Sequence, residues 1–309
     1  ALLYVLACVF PFTRHKPVLL ALSQADTAPP LFDMMMPVSN VGKTIEKDGT
    51  PPQVMATYGL FLVLAMAVYH YVADGEFSAI LTMSVMFQCL AVGLLGFQSF
   101  STGSAAGISA QSLKLEALAL MLRLSSTTWL NGYLPVDASG DFLFQAIDVC
   151  SLVMTLVLLY RVTVVQKITY QVGDDTLPVL PMVLVCFVLA PLLHADLNDR
   201  PIFDSLWMAG LFIGVLAVLP QLWLINRCGG HISVLTSHHI AAMAISRFLS
   251  GTFMWYARED ILCEPWVGDI NHASWAILSA HFVHLILLGD FAYFYVKAVL
   301  ANGRSEERR

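Results

Sequence analysis

Eight long apolar runs constrain the fold of this chain more than any other feature of its sequence. Each run reaches, or nearly reaches, the roughly 20 residues that an α-helix needs to cross a bilayer. Backbone groups find no water in hydrocarbon, so segments that cross it must form helices or closed barrels. The sequence therefore predicts an all-α polytopic membrane protein. The runs lie at approximately 54–73, 78–98, 111–129, 142–160, 178–194, 205–226, 235–257 and 274–298.

The charged residues agree with this fold class and indicate an orientation. Only 12% of the residues are charged, about half of the roughly 25% typical of soluble domains. If the runs alternate across the bilayer, one face collects most Lys and Arg of the connecting segments, whereas the other holds only Arg200 and Arg258. The positive-inside rule expects such a bias. Because the runs would lie in a bilayer, we expect membrane lipids as partners. The sequence has no basic patch, so we expect no binding of nucleic acid.

An internal repeat predicts how the helices are grouped. In "GISAQSLKLEALALMLR", Arg123 follows Ser109 by fourteen residues, and in "HISVLTSHHIAAMAISR", Arg247 follows Ser233 by the same interval. Each pair lies in the middle helix of a group of three runs, and the run at 178–194 would link the two groups. Two parallel triplets joined by a linker helix resemble the layout of SWEET-type transporters.

Pro220 and Gln221 interrupt the run at 205–226. A proline opens the backbone ladder of a membrane helix, and a glutamine needs polar partners that lipid does not supply. We expect the pair to form a hinge that offers a polar contact. The alternative is a simple kink with Gln221 at the level of the headgroups.

Ionisable groups inside membrane spans are candidates for function by default. Arg123 can hold a carboxylate, a lipid phosphate or an internal partner, and Asp148 and Asp290 on later helices are candidate counter-ions. We favour structural pairing over ligand contact. Lys114 and Glu116 lie near a helix start, where we expect their side chains to reach the membrane surface.

His281 and His284 are the weak metal candidates of this sequence. Their i, i+3 spacing places them on one helix face, but no ExxH pattern or cysteine ligand accompanies them. The sequence also contains no nucleophile elbow, P-loop, HExxH or dinucleotide fingerprint. We therefore expect no metal, no cofactor and no enzymatic activity.

Five motifs follow one another in a fixed order and spacing: "AAGISAQS" (105–112) before Arg123, "TY" (169–170) with Asp175-Thr176, Leu206-Trp207 before "AVLPQLWLI" (217–225), "LTSHH" (235–239) with Arg247, and "GDFAYFYVKAVLANG" (289–303). On these motifs, residues from about 78 to 300 resemble the ER lumen protein-retaining receptors, also called KDEL receptors, which are related to the PQ-loop and SWEET transporters.

This resemblance implies a seven-helix bundle of two three-helix repeats and a linker helix, over residues 74–300. Residues 1–53 would then be an N-terminal extension with a short apolar segment and a polar loop. We expect an extra transmembrane helix at 54–73 and a charged tail at 301–309.

The resemblance also implies a ligand. Members of the family bind the C-terminal tetrapeptide of escaped ER residents in the Golgi, with proton-dependent affinity, and return them. Arg123 matches the arginine that holds the ligand carboxylate, and Arg247 matches a second pocket arginine. Trp255 and Arg258 are candidate counterparts of a pocket tryptophan and arginine, each displaced by one position.

Other pocket positions of the family are not kept. Charge-assisted hydrogen bonds contribute roughly 1.5–3 kcal/mol each, so the loss of two or three would weaken peptide binding by several powers of ten. Neutral residues replace the family's buried arginine, histidine, glutamate and two tyrosines, and they are Leu81, Gln88, Gly214, Ser246 and Ser250.

Three functions are compatible with these features. We favour a structural accessory subunit of a larger organellar membrane complex, bound to other membrane-protein subunits, with a mitochondrial inner or plastid membrane favoured over the ER and Golgi. The lost pocket charges, the extra helix and the tail "GRSEERR", without the family's lysine-rich retrieval signal, support this hypothesis. One alternative is a divergent retention receptor that binds C-terminal peptides of lumenal proteins in Golgi-to-ER retrieval. The other is a small-solute transporter of the SWEET/PQ-loop type.

Overall fold

The computed structural model describes residues 52–71, 77, 79–127, 141–197, 200–228, 233–261, 263 and 270–306. The predicted extension at 1–53 lies outside this part, except for the first residues of α1. No β-strand occurs among the described residues. They form nine α-helices: α1 (Pro52–Tyr71), α2 (Ala79–Thr102), α3 (Ala110–Thr127), α4 (Asp141–Tyr160), α5 (Val179–Leu193), α6 (Pro201–Leu216), α7 (Val218–Arg227), α8 (Val234–Tyr256) and α9 (His272–Glu306).

These helices match the eight predicted runs, because α6 and α7 form a single rod that is interrupted at Ala217. The fold class, an all-α polytopic membrane protein with a helix preceding the receptor-like bundle, is confirmed. Shorter apolar stretches occur in α1 and α5, and α9 extends to Glu306, inside the predicted tail. Four described segments have the length and composition to cross a membrane, namely Ala79–Thr102, Phe142–Val165, Pro201–Arg227 and His272–Gly289.

The first helix of each three-helix group packs against the middle helix of the other group. α2 lies along α8, and α6 lies along α3, and these two contacts are the most extensive ones between described helices. α4 packs against α2 and α3, α9 packs against α8, and α5 packs on α6. The exchange of first helices gives the bundle an approximate two-fold arrangement and places its polar residues between the groups.

A glycine allows α6 to approach α3 closely. A Cβ atom at Gly210 would lie 3.0 Å from the carbonyl oxygen of Ala119 and 3.3 Å from the backbone nitrogen of Arg123. Small residues permit such backbone contacts between membrane helices, where packing has to replace the hydrophobic effect. Gly210 therefore holds α6 against the turn of α3 that carries Arg123.

The extra helix α1 packs on the outside of the bundle. The Tyr58 hydroxyl lies 3.2 Å from Nδ1 of His238 in α8, and the Phe61 ring meets the Phe87 ring of α2 at 4.7 Å between centroids. Ala65 is also buried, whereas most other apolar side chains of α1 are exposed. α1 therefore has one packed face and one apolar outer face, which suits a helix surrounded by lipid.

Gln221 explains why a polar residue follows Pro220 in an apolar rod. The side chain is buried, its Oε1 accepts a hydrogen bond from the Ser109 N–H at 2.9 Å, and its Nε2 donates to the Gly107 carbonyl at 2.8 Å. Gly107 has a positive φ of 76°, which favours glycine. Gln221 thus makes the predicted polar contact inside the protein, at the start of α3, instead of facing headgroups.

Gln98 makes the corresponding contact in the other half. Its Oε1 accepts hydrogen bonds of 2.6 Å from both the Ser233 and the Thr236 hydroxyls at the start of α8. Each glutamine therefore belongs to the first helix of one group and binds the N-terminus of the middle helix of the other. The sequence carried this signal, because Gln98 precedes Ser109 by nearly the same interval as Gln221 precedes Ser233.

Candidate ligand-binding site

A polar cavity lies between the two three-helix groups. Its volume is about 60 Å³, which is space for a few water molecules, since one water needs roughly 10–15 Å³. Buried charged groups in a membrane bundle mark candidate sites for ligands. The polar residues that line the cavity come from α2, α3, α8 and α9, and they are Gln88, Glu116, Arg123, Thr127, Arg247, Ser250, His281 and His284.

Two N-caps set the positions of the arginines. The Ser109 hydroxyl accepts a hydrogen bond from the Ser112 N–H, and the Ser233 hydroxyl accepts one from the Thr236 N–H, both at 3.1 Å. Such caps satisfy the free donors of a helix start. Fourteen residues are close to four turns of 3.6 residues, so each arginine lies at the same depth on the face of its capping serine. The repeat thus brings Arg123 and Arg247 to one cavity.

The loop after α4 fixes the first of these caps. Asp175 Oδ1 accepts from the Ser109 hydroxyl at 2.8 Å, and Oδ2 accepts from the Tyr170 hydroxyl at 2.7 Å and from the Gln111 N–H at 3.1 Å. Burial, and then the neighbouring carboxylate, raise the pKa of Tyr170 above its ordinary value. The phenol therefore remains a hydrogen-bond donor to Asp175, which anchors α3 at its N-terminus.

One hydrogen-bonded chain connects the two arginines. Nη2 of Arg123 donates to Asp148 Oδ1 at 2.6 Å and to Gln88 Oε1 at 3.2 Å. Gln88 Nε2 donates to Glu116 Oε1 at 2.6 Å, and Arg247 Nη2 donates to the same oxygen at 3.2 Å. The chain contains two cations and two carboxylates, so its formal charges cancel. Buried ions need such partners, because desolvation penalises each one that is unpaired.

Glu116 is the site residue that the sequence reasoning missed. Its side chain is about 10% exposed and forms an ion pair with Arg247, so the expectation that it reaches the membrane surface is wrong. Glu116 precedes Arg123 by seven residues, which is nearly two helical turns and places both on one face of α3. That spacing, together with the need of a buried arginine for a counter-ion, is the sequence signal that could have identified Glu116 as a site residue.

Both histidines of the weak metal candidate also reach the cavity. His281 is 5% and His284 is 3% exposed, and both belong to the inner face of α9. Within the described residues, no group of three or more His, Cys, Asp or Glu could hold a metal ion. Neither ring nitrogen of His281 has a hydrogen-bond partner in the described part of the chain.

Two residues assigned to the pocket by resemblance lie elsewhere. Trp255 is 53% exposed, and Arg258 stacks on its ring at 4.9 Å and donates to Glu259 at 2.8 Å. Trp255 follows Arg247 by eight residues, which turns it about 80° away from the cavity face of α8. The expected pocket role of both residues therefore conflicts with their position. Asp290 belongs to α9, but its side chain lies outside the described part, so its pairing stays a prediction.

Comparison with known proteins identifies relatives across the region of the cavity. The family model described as "ER lumen protein retaining receptor" matches residues 104–258. This match includes both arginines, both N-caps and the Pro220-Gln221 pair.

Individual relatives carry the same description. ER lumen protein-retaining receptor erd-2.2 of Caenorhabditis elegans is 27% identical over 223 residues, which are 72% of this chain and 94% of the relative. The ER lumen protein-retaining receptor of Drosophila melanogaster is 26% identical over 68% of this chain and 89% of its own length. ER lumen protein-retaining receptor A of Arabidopsis thaliana is 24% identical over the same shares, 68% and 89%. These are names of receptors and not of enzymes.

Proposed function

Because this chain belongs to the ER lumen protein retaining receptor family, we propose that it is a divergent receptor that binds C-terminal retention signals of lumenal proteins in Golgi-to-ER retrieval. The observation that carries the proposal is that Arg123 faces the cavity with hydrogen-bond donors still available. Its side chain is 21% exposed, it lines the cavity, and its buried Nε has no hydrogen-bond partner among the described residues. Arg123 is also the residue that matches the family's carboxylate-binding arginine.

The chemistry of Arg123 suits a terminal carboxylate. A guanidinium has five N–H donors in a planar fork, and the internal network accounts only for those of Nη2. The centroid of the Phe144 ring lies 5.7 Å from the guanidinium carbon. This ring adds an apolar wall beside the charge. In such a low-dielectric setting, each charge-assisted bond to a ligand contributes roughly 1.5–3 kcal/mol.

The size of the cavity adds a requirement to the proposal. A space of about 60 Å³ does not hold a tetrapeptide, so peptide binding must include a separation of the two three-helix groups. The ligand would then replace part of the hydrogen-bonded chain between the arginines. A ligand shifts the protein from a closed to an open state only as far as it binds the open state more tightly than the closed one.

The other two functions have less support. The names of the relatives favour neither an accessory subunit nor a small-solute transporter, and they do not favour a mitochondrial or plastid membrane. The described residues add no surface or pathway that points to either role. We therefore put the retention receptor forward in place of the accessory subunit that the pocket losses led us to expect.

A retention assay tests the proposed function. Secreted reporter proteins that end in a library of tetrapeptides would be expressed with and without the full chain, and their intracellular share measured. We expect a subset of signals to be retained, and retention to vanish when two glycines are appended after the signal, because the carboxylate is then displaced. Retention of no signal, together with copurification of a stoichiometric set of membrane subunits, would argue for the accessory role.

A further inference from the structure

Two cysteines of the first three-helix group face each other in the middle of the membrane. Cys89 belongs to α2 and Cys150 to α4, in the segments Ala79–Thr102 and Phe142–Val165 that have the length and composition to cross a bilayer. The Cys89 thiol lies within hydrogen-bonding reach of the Cys150 thiol and of the Ser151 hydroxyl. Neither thiol belongs to the hydrogen-bonded chain of the cavity.

A second contact, one turn further along both helices, has the same register. Gly93 follows Cys89 by four residues and Met154 follows Cys150 by four, and residues with this spacing share a helix face. A Cβ atom at Gly93 would lie 3.5 Å from Cε of Met154, and the Cys150 thiol donates to Sδ of Met154 at 3.8 Å. The contact between the thiols is therefore part of the packed interface of α2 with α4.

The two thiols differ in their access to lipid. Cys150 is exposed, whereas Cys89 is half-buried, and the exposed surface of a membrane-spanning segment faces lipid chains. The low dielectric constant of lipid disfavours a charged thiolate, and a neutral thiol is a poor nucleophile. A charged oxidant stays in water and does not reach the pair. A neutral peroxide that dissolves in the bilayer does reach it, and meets Cys150 first.

We propose that Cys89 and Cys150 form a redox-active dithiol, which an organic hydroperoxide dissolved in the bilayer converts into a disulfide. The sulfur of Cys150 attacks the outer oxygen of the hydroperoxide, the O–O bond breaks, and the thiol proton leaves with the alkoxide as an alcohol. The resulting sulfenic acid of Cys150 condenses with a thiol. The sulfur of Cys89 attacks the Cys150 sulfur, and the hydroxyl group leaves with the Cys89 proton as water. The two thiols lose two electrons, which reduce one hydroperoxide.

The disulfide would clamp α2 to α4 beside the two acceptors of Arg123. Gln88 directly precedes Cys89, and Asp148 precedes Cys150 by two residues. Both side chains accept hydrogen bonds from Nη2 of Arg123. A covalent link between two helices restricts the unfolded chain, so the oxidised chain should melt at a higher temperature than the reduced one. This inference is independent of the proposed receptor function, because it needs only α2, α4 and the surrounding lipid.

Disulfide mapping of the full chain in lipid nanodiscs tests the pair. The chain would be treated with cumene hydroperoxide, which dissolves in bilayers, or with glutathione disulfide, which does not. Free thiols would be blocked with N-ethylmaleimide in denaturant, and a non-reducing digest analysed by mass spectrometry. We expect the hydroperoxide to link Cys89 to Cys150 in most chains and to raise the melting temperature, and glutathione disulfide to leave both thiols reduced. Cys186→Ser, which removes a buried cysteine of α5, is the matched control and should form the same disulfide.

Single variants test the order of the two steps. In Cys89→Ser we expect Cys150 to stop at the sulfenic acid, which dimedone traps, whereas in Cys150→Ser we expect Cys89 to remain a thiol. The dithiol is refuted if the native, folded chain keeps both thiols under hydroperoxide, links Cys150 only to a second chain, or accumulates sulfinic acid without a link between the two cysteines. Equal disulfide formation with glutathione disulfide would refute the route through lipid, and a disulfide without a higher melting temperature would refute the clamp.

Discussion

Asp148 Oδ1 accepts a hydrogen bond from Arg123 Nη2 at 2.6 Å, with the carboxylate fully buried and the arginine side chain 21% exposed. This internal carboxylate competes for the cation that the proposed ligand would use. The chain therefore contains, in α4, an acidic group that would weaken the proposed binding of a terminal carboxylate. A low affinity of the native cavity would follow from this pair, and not only from the family residues that the chain has lost.

Replacement of Asp148 should strengthen binding of a peptide carboxylate. We expect Asp148→Asn to bind a free-acid peptide about tenfold more tightly, since the removal of one competing charge-assisted bond releases roughly 1.5 kcal/mol or more. Isothermal titration of the nanodisc-embedded chain measures this change. Glu259→Gln, which removes an exposed negative charge, should have no effect. An unchanged or lower affinity in a folded Asp148→Asn variant would contradict the prediction.

The Glu116–Arg247 pair should contribute strongly to stability when only one partner is removed. Glu116→Gln leaves a buried arginine without its counter-ion, and we expect the free energy of unfolding to fall by roughly 3–5 kcal/mol. The double variant Glu116→Gln/Arg247→Gln should recover part of that loss. Unfolding in mild detergent, analysed as a double-mutant cycle, measures the coupling.

The exposed pair of Arg258 and Glu259 serves as the control for this cycle. Its side chains are 39% and 81% exposed, and we expect Arg258→Gln/Glu259→Gln to change stability by less than about 1 kcal/mol. Equal coupling free energies in the two cycles would mean that burial does not strengthen the interaction between Glu116 and Arg247.

Gly210 should be far less tolerant of alanine than Gly214, one turn later on α6. A Cβ at Gly210 meets the Ala119 carbonyl at 3.0 Å, whereas one at Gly214 meets the Ala119 Cβ at 3.8 Å, an ordinary contact. Gly210→Ala should therefore cost roughly 1–3 kcal/mol through overpacking of α6 against α3. Thermal unfolding of both variants measures the difference, and equal melting temperatures would show that the two helices can separate without penalty.

The helices were predictable because their signals are local. Apolar runs, the serine caps and the arginines fourteen residues later are all visible in the sequence, and they led directly to α3 and α8. The pairing of Arg247 with Glu116 was not visible, because the two residues meet only when α8 and α3 face the same cavity. The placement of Trp255 failed for a related reason, since displacement by one residue turns a side chain about 100° around a helix.

Gln98 is the counterpart of Gln221 in the internal repeat, but the sequence alone does not draw attention to it. Gln221 was noticed because Pro220 precedes it, whereas Gln98 lies in an uninterrupted helix and has no such marker. Only the crossed packing of the first helices, α2 on α8 and α6 on α3, gives the two amides the same role. The shared role of the two glutamines therefore follows from the pseudo-symmetry of the structure, and neither sequence motif alone predicts it.

Loss of either glutamine should destabilise the fold. Gln221→Leu leaves the Ser109 N–H without the amide that accepts from it, and Gln98→Leu removes the amide acceptor of the Ser233 and Thr236 hydroxyls, which as donors then keep only their 2.9 Å contact with each other. An unsatisfied buried group costs roughly 1–3 kcal/mol. Gln111→Leu is the control, because that side chain makes only a long, exposed contact of 3.4 Å with Lys114. Stability equal to that of the control would refute the capping role.

In the receptor function that we propose, Arg123 holds the terminal carboxylate of the peptide ligand. The most direct test of this role is the affinity of one retained tetrapeptide as free acid and as C-terminal amide, for the native chain and for Arg123→Gln/Asp148→Asn, in which both charges of the buried pair are removed together. We expect amidation to weaken binding to the native chain at least tenfold and to make no difference in the double variant. Equal binding of acid and amide by the native, folded chain would show that Arg123 does not hold the terminal carboxylate.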